Sequence, residues 1–247
     1  GGSFFFNDND IETYTKIIPQ NQLTEFNENG EFPLSLRDAL HDFFIGSAYG
    51  RYKKEHLDET KNRTMMITPS HLVAMHGQYM SAIQNEVQDY LTLFDAKKDI
   101  DYPDLINQLK ESYSRILISN ELNDVPNFND LLDYINASIE DVKMIPINAQ
   151  GSPIQPIKWE SGSYERILIG GKGLERGYTV EGLTITYMSR PPGTFTSDTL
   201  QQRARFFGYR KKYHPFIKIY LPLDLREFYR HYIHTEKNLH DEIEKFV

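Results

Sequence analysis

The 247-residue chain contains no cysteine. That excludes disulfides, cysteine-ligated zinc and thiol catalysis, and it points to a reducing compartment, the cytoplasm. Positive charge is in the minority: 27 Lys and Arg stand against 35 Asp and Glu, a formal net charge of −8. A surface of that sign is not built to coat nucleic acid, so any such contact must be local. No apolar run approaches the roughly 20 residues of a membrane helix, which argues against a membrane partner. Phe4-Phe5-Phe6 is too short for a signal-peptide core. No Gly-Lys-Ser/Thr occurs at the spacing of a phosphate loop. No methionine opens the chain, which starts Gly1-Gly2-Ser3, so further protein is expected upstream.

What is present suffices for a sizeable core, with 39% hydrophobic and 13% aromatic residues. Residues 1–34 are rich in Asn, Asp, Glu and Gln and read as an extended lead-in or linker. Leu36, Leu40, Phe43, Phe44 and Ala48 predict a helix over Ser35 to His56. Met65-Met66-Ile67 reads as a buried strand that stops at Pro69. A helix from His71 to Phe94 follows, with Val73, Met80, Ile83 and Val87 as its stripe. Two helical stretches, Leu105 to Leu117 and Phe128 to Ile139, read as a helical insertion over about 97–139. Short apolar runs recur at Lys143–Ile147, Arg166–Ile169, Leu183–Met188 and Phe216–Leu221. Runs such as Ile167-Leu168-Ile169 suit strands covered on both faces. Alternating strands and helices give an α/β domain over 35–247, a parallel sheet sandwiched by helices.

The chemistry concentrates between Arg166 and Arg210. The strand ending at Ile169 runs into Gly170-Gly171-Lys172-Gly173-Leu174-Glu175-Arg176-Gly177-Tyr178-Thr179. Glycines after a buried strand allow close backbone approach and suit phosphate; alone they equally suit a tight turn. After the next strand come Arg190-Pro191-Pro192-Gly193 and then Asp198-Thr199-Leu200-Gln201, a helix start with capping-box spacing. On that helix Leu200, Ala204 and Phe207 share an apolar face and Gln201 and Arg205 a polar one, with Gly208 placed to end it.

These residues resemble motifs V and VI of superfamily-two helicases, and more closely the Z-one (Z1) domain family, often labelled putative endonuclease. Gly170-Gly171, Leu174, Arg176-Gly177, Thr179, Glu181-Gly182-Leu183, Tyr187, Arg190, Asp198-Thr199-Leu200, Gln202, Arg205 and Phe207-Gly208-Tyr209-Arg210 follow that family's pattern in order, and Met66 to Ser70 resembles motif IV. Two residues depart from the usual pattern. Ala204 stands where the family has Gly before the motif VI arginine, and Thr179 where many helicases carry Asp.

The resemblance implies a RecA-like sheet that forms the C-terminal lobe of a helicase-like ATPase. ATP and Mg²⁺ would be bound mainly by an N-terminal RecA-like lobe of the same protein, with DNA as the other partner. It further implies roles for single residues. Arg205, then Arg210, would meet the γ-phosphate, with Gln201 or Gln202 orienting. Gly170, Gly171, Gly173, Arg176, Gly177 and Thr179 would line the nucleotide side. Thr68, Ser70, Lys172 and Arg190 would touch nucleic-acid phosphates. DNA restriction or antiviral defence is the implied setting, and this chain alone is expected to be inactive.

Two rivals stand beside it: a metal-dependent endonuclease domain, and a non-catalytic interaction module. The nuclease reading would draw on Asp141-Val142-Lys143 with Glu140 and Asp130 or Asp133. A metal site could also be sought in His231, His234 and His240 with Glu236 and Asp241, although an exposed polar helix explains them. Arg203, Lys211 and Lys212 read as a solvated basic patch, and Trp159 as packing.

Overall fold

The computed structural model describes residues 5–6, 11–69, 73–118, 122, 124–147, 157–159, 162–171, 174, 180–189 and 213–244. Six strands form one sheet: β1 Thr15–Ile17, β2 Arg63–Thr68, β3 Lys143–Ile147, β4 Glu165–Gly170, β5 Leu183–Met188 and β6 Lys218–Leu221. Their order is β1-β6-β5-β2-β4-β3, and every pairing is parallel. The described helices are α1 Ile11–Tyr14, α2 Gln20–Asn29, α3 Leu34–Tyr52, α4 Val73–Asp95, α5 Tyr102–Tyr113, α6 Phe128–Asp141 and α7 Leu223–Glu244.

Successive strand residues point to opposite faces, and here both faces are covered. On one face Met65, Ile67, Ile167, Ile169, Ile185 and Tyr187 meet residues of α2 to α6 in the main core. On the other, Met66, Leu168 and Leu183 pack with Leu174 and Val180. At the β6 side of that face, Ile219 and Leu221 pack with Leu225, Tyr229 and Ile233 of α7. This is the expected RecA-like α/β arrangement. The expected insertion is α5 and α6, which lie in the connection from β2 to β3. Leu105, Leu109, Leu131, Ile135 and Ile139 belong to the main core, so these helices complete a layer of it.

Where it is described, the lead-in forms helices and an edge strand that pack into the domain. Thr15-Lys16-Ile17 pairs with Ile219-Tyr220-Leu221 as the edge strand of the sheet. The helix after it, α2, follows Pro19 and ends at Gly30 in the left-handed conformation, burying Leu23 and Phe26. Local polarity hid this segment, because its strand is paired only by β6, some 200 residues onward. Smaller differences concern the ends of elements. The α4 stripe runs through Tyr79, Ile83, Val87, Tyr90 and Phe94, with Met80 only half-buried. After Tyr113 the helix widens into a π turn over Ser114–Ile118.

Candidate functional site

In an open parallel sheet ligands bind beyond the carboxyl ends of the strands. The three central strands, β5-β2-β4, end side by side at Met188, Thr68 and Gly170. These are the ends that precede the segments whose residues resemble motifs VI, IV and V. The sequence runs end near Thr68, Gly170 and Tyr187, and the structure makes these strands neighbours.

Gly170 is packed too tightly for any side chain. An added Cβ would lie 2.9 Å from the Ile147 carbonyl oxygen and 3.0 Å from Leu174 Cδ1. The turn then starts with Leu174 N–H donating to the Gly171 carbonyl at 3.0 Å, and Leu174 is fully buried. Val180 is buried in the same cluster as Leu174. Thr68 is 1% exposed, and its hydroxyl has no hydrogen-bond partner among the described residues. Ser70, Lys172, Gly173, Arg176, Gly177, Thr179, Arg190, Gln201, Gln202, Arg205 and Arg210 lie outside the described residues. So does the Asp198 helix start.

Two side chains at this edge went unnoticed in the sequence. Tyr79 of α4 donates to Ser189 Oγ at 2.9 Å, and Ser189 donates to the Pro69 carbonyl at 3.3 Å. Ser189 follows β5 and Pro69 follows β2. Behind them Ser35 and Tyr187 share a hydrogen bond of 3.0 Å. The only signal in the sequence was an aromatic at core spacing on the helix after the Pro69 stop.

The opposite, amino-terminal edge of the sheet is charged and buried. Arg51 pairs with Glu165 at 2.5 Å and with Asp141 at 2.8 Å. Arg63 is 1% exposed; it donates to Tyr164 Oη at 3.0 Å and to Glu55 at 2.9 Å. Its guanidinium also lies 4.4 Å from the Phe216 ring centroid, a cation–π geometry. Arg166 bonds the Asn62 side chain and sits over Trp159 at 5.2 Å. Arg51 and Arg63 each face a carboxylate, while Arg166 is held by a side-chain amide, the Lys158 carbonyl at 3.2 Å and an aromatic face.

This placement bears on the nuclease reading. Asp141 is committed to Arg51, and Glu140 accepts from Asn136 at 2.7 Å. Among the described residues no group of three or more His, Asp or Glu is arranged to hold a metal ion. His231 and His234 are exposed on α7, and the side chains of Glu236, His240 and Asp241 lie outside the described set. No described helix is long and apolar enough to cross a membrane.

A parallel sheet covered on both faces, with its three central strands ending side by side, defines an α/β domain of RecA-like architecture. The family model of the Z1 domain matches residues 35–247, and the chain belongs to the Z1 domain family. No curated protein and no solved structure matches the chain.

Proposed function

We propose that this chain is the second, C-terminal motor lobe of a superfamily-two helicase-like, nucleic-acid-dependent ATPase that serves DNA restriction or antiviral defence. The observation that carries the reading is the adjacency of Thr68, Gly170 and Met188 at the ends of neighbouring parallel strands. A lobe of this kind presents its motif segments to ATP and DNA from one edge. Arg205, backed by Arg210 and by Gln201 or Gln202, would meet the charge that builds on the γ-phosphate. The backbone from Gly170 through Gly173, with Arg176, Gly177 and Thr179, would flank the nucleotide. Thr68, Ser70, Lys172 and Arg190 would hold nucleic-acid phosphates, which positions a strand without reading its sequence.

The fit to Mg²⁺ is instructive. The described strand ends, Thr68-Pro69, Gly170-Gly171 and Met188-Ser189, offer hydroxyls and backbone but no carboxylate. In this reading the metal and most of the ATP would be held by a partner lobe carrying a phosphate loop and acidic residues. The engagement of Asp141 by Arg51 weighs against a nuclease centre there.

ATP turnover tests the reading. The full-length protein should hydrolyse ATP with stimulation by DNA, whereas residues 1–247 alone should show no turnover above background. Robust hydrolysis by the isolated chain, or DNA cleavage by it with Mg²⁺, would overturn the assignment.

A further inference from the structure

Tyr79 is 1% exposed and sits in the main core, where phenylalanine would pack as well without burying a hydroxyl. A buried hydroxyl needs a partner, so the contact it makes is what distinguishes the two residues. That contact is the chain from Tyr79 Oη to Ser189 Oγ at 2.9 Å, and from Ser189 Oγ to the Pro69 carbonyl at 3.3 Å. The β2–β5 register ends with Thr68 opposite Met188. Pro69 and Ser189 are the next residues along, so the side-chain link continues the ladder one step past the sheet.

Tyr79 is braced from behind. The Phe26 ring meets it edge-on, with centroids 4.6 Å apart at 77°, and Gln78 Nε2 donates to the Phe26 carbonyl at 2.8 Å. Burial pushes the phenol up to about 12, which keeps it protonated and donating across the physiological range. The brace comes from α2, a helix of the polar lead-in.

We propose that Tyr79 is a positioning residue: through Ser189 it fixes the spacing of the two strand exits that carry the motif IV and motif VI segments. It thereby sets how well the edge grips the transferring phosphoryl group. This rests on the motor-lobe reading. Displacement of a positioning group by about 1 Å can cost as much as 10²-fold in rate, so the effect should appear in turnover.

The test uses the full-length protein with Tyr79→Phe, Ser189→Ala and the double variant. DNA-stimulated hydrolysis is measured per folded molecule, with melting curves alongside. Each single variant should lose about tenfold in kcat, with KM for ATP changed less than about twofold. The double variant should be no worse than the singles, because both break one link. A purely structural tyrosine would lower the melting temperature and leave kcat per folded molecule intact. Should Tyr79→Phe fail to fold, Ser189→Ala removes the same link from outside the main core and is read the same way. Parental kcat in the folded variants overturns the positioning role and leaves the motor lobe standing. A parent protein without any stimulated hydrolysis overturns both.

Discussion

Arg51 holds Glu165 by two hydrogen bonds, Nε to Oε1 at 2.5 Å and Nη2 to Oε2 at 2.7 Å, across 114 positions of sequence. The Glu165 side chain is completely buried, and Ser138 Oγ donates to it at 2.7 Å. The pair ties α3 and α6 to the start of β4, the strand that delivers Gly170 to the opposite edge. Removing one partner of a buried pair leaves the other charge without compensation, at a cost of about 3–5 kcal/mol. Arg51→Met should therefore lower unfolding stability in urea by that amount. Asp141, whose side chain is 61% exposed, is the outer partner, and Asp141→Asn should cost no more than about 1 kcal/mol. A loss under 1 kcal/mol in Arg51→Met would show that the pair merely breaks even.

Gly182 makes the turn into β5 with a positive φ of 60°, and its carbonyl accepts from Thr64 N–H at 2.8 Å. An alanine Cβ there would fall 1.9 Å from the Asn62 carbonyl oxygen, a backbone atom with no rotamer to escape through. The left-handed conformation alone costs about 1–2 kcal/mol for a residue with a Cβ. Gly182→Ala should cost about 2 kcal/mol or more, read as a drop in melting temperature. If the variant melts with the parent, the turn is not built as described.

His41 is fully buried, and neither ring nitrogen has a hydrogen-bond partner among the described residues. Burial, followed by the nearby positive charges of Arg37 and Arg115, lowers its pKa from 6.5 to about 3. Above pH 6.5 the imidazole is neutral in both the folded and unfolded chain. Below it the unfolded chain takes up a proton that the folded one refuses, so stability falls as pH drops from 6.5 toward 3. By pH 5 this amounts to about 2 kcal/mol. His41→Leu should flatten the loss between pH 7 and pH 5 by that much, measured by urea unfolding at each pH. Parallel curves for variant and parent would mean that His41 is partnered or solvated.

The sequence disclosed this fold where local pattern and environment agree. Ile167-Leu168-Ile169 is apolar throughout because both faces of β4 are covered, and such a run is hard to misread. The strand runs ending near Thr68, Gly170 and Tyr187 likewise predict neighbouring parallel strands, and β5-β2-β4 are neighbours. What stayed hidden depends on distant partners. Thr15-Lys16-Ile17 is three residues long and polar in context, and becomes a strand only through β6. Arg63 and Arg166 look like surface arginines until Tyr164, Glu55 and Asn62 are seen around them. Tyr79 gave no sign beyond its spacing, since its contact with Ser189 spans 110 positions.

Arg205 carries the proposed chemistry. By sequence spacing it is expected to share the polar side of a helix begun at Asp198 with Gln201, with Leu200, Ala204 and Phe207 as the expected anchoring face. A guanidinium held this way can grip two phosphate oxygens at once, and a lysine cannot copy the fork. Its contact should strengthen as charge builds on the transferring phosphoryl group, so turnover should suffer more than binding. Arginine fingers are worth roughly 10³ to 10⁵ in rate. In the full-length protein, Arg205→Ala and Arg205→Lys should melt like the parent, still bind ATP, and lose most DNA-stimulated hydrolysis. Arg203→Ala, expected from its spacing to face another side, should keep most of it. Steady-state hydrolysis assays on the three variants decide the matter. Parental turnover in folded Arg205→Ala would make Arg205 structural, and the γ-phosphate contact would have to come from elsewhere, Arg210 first.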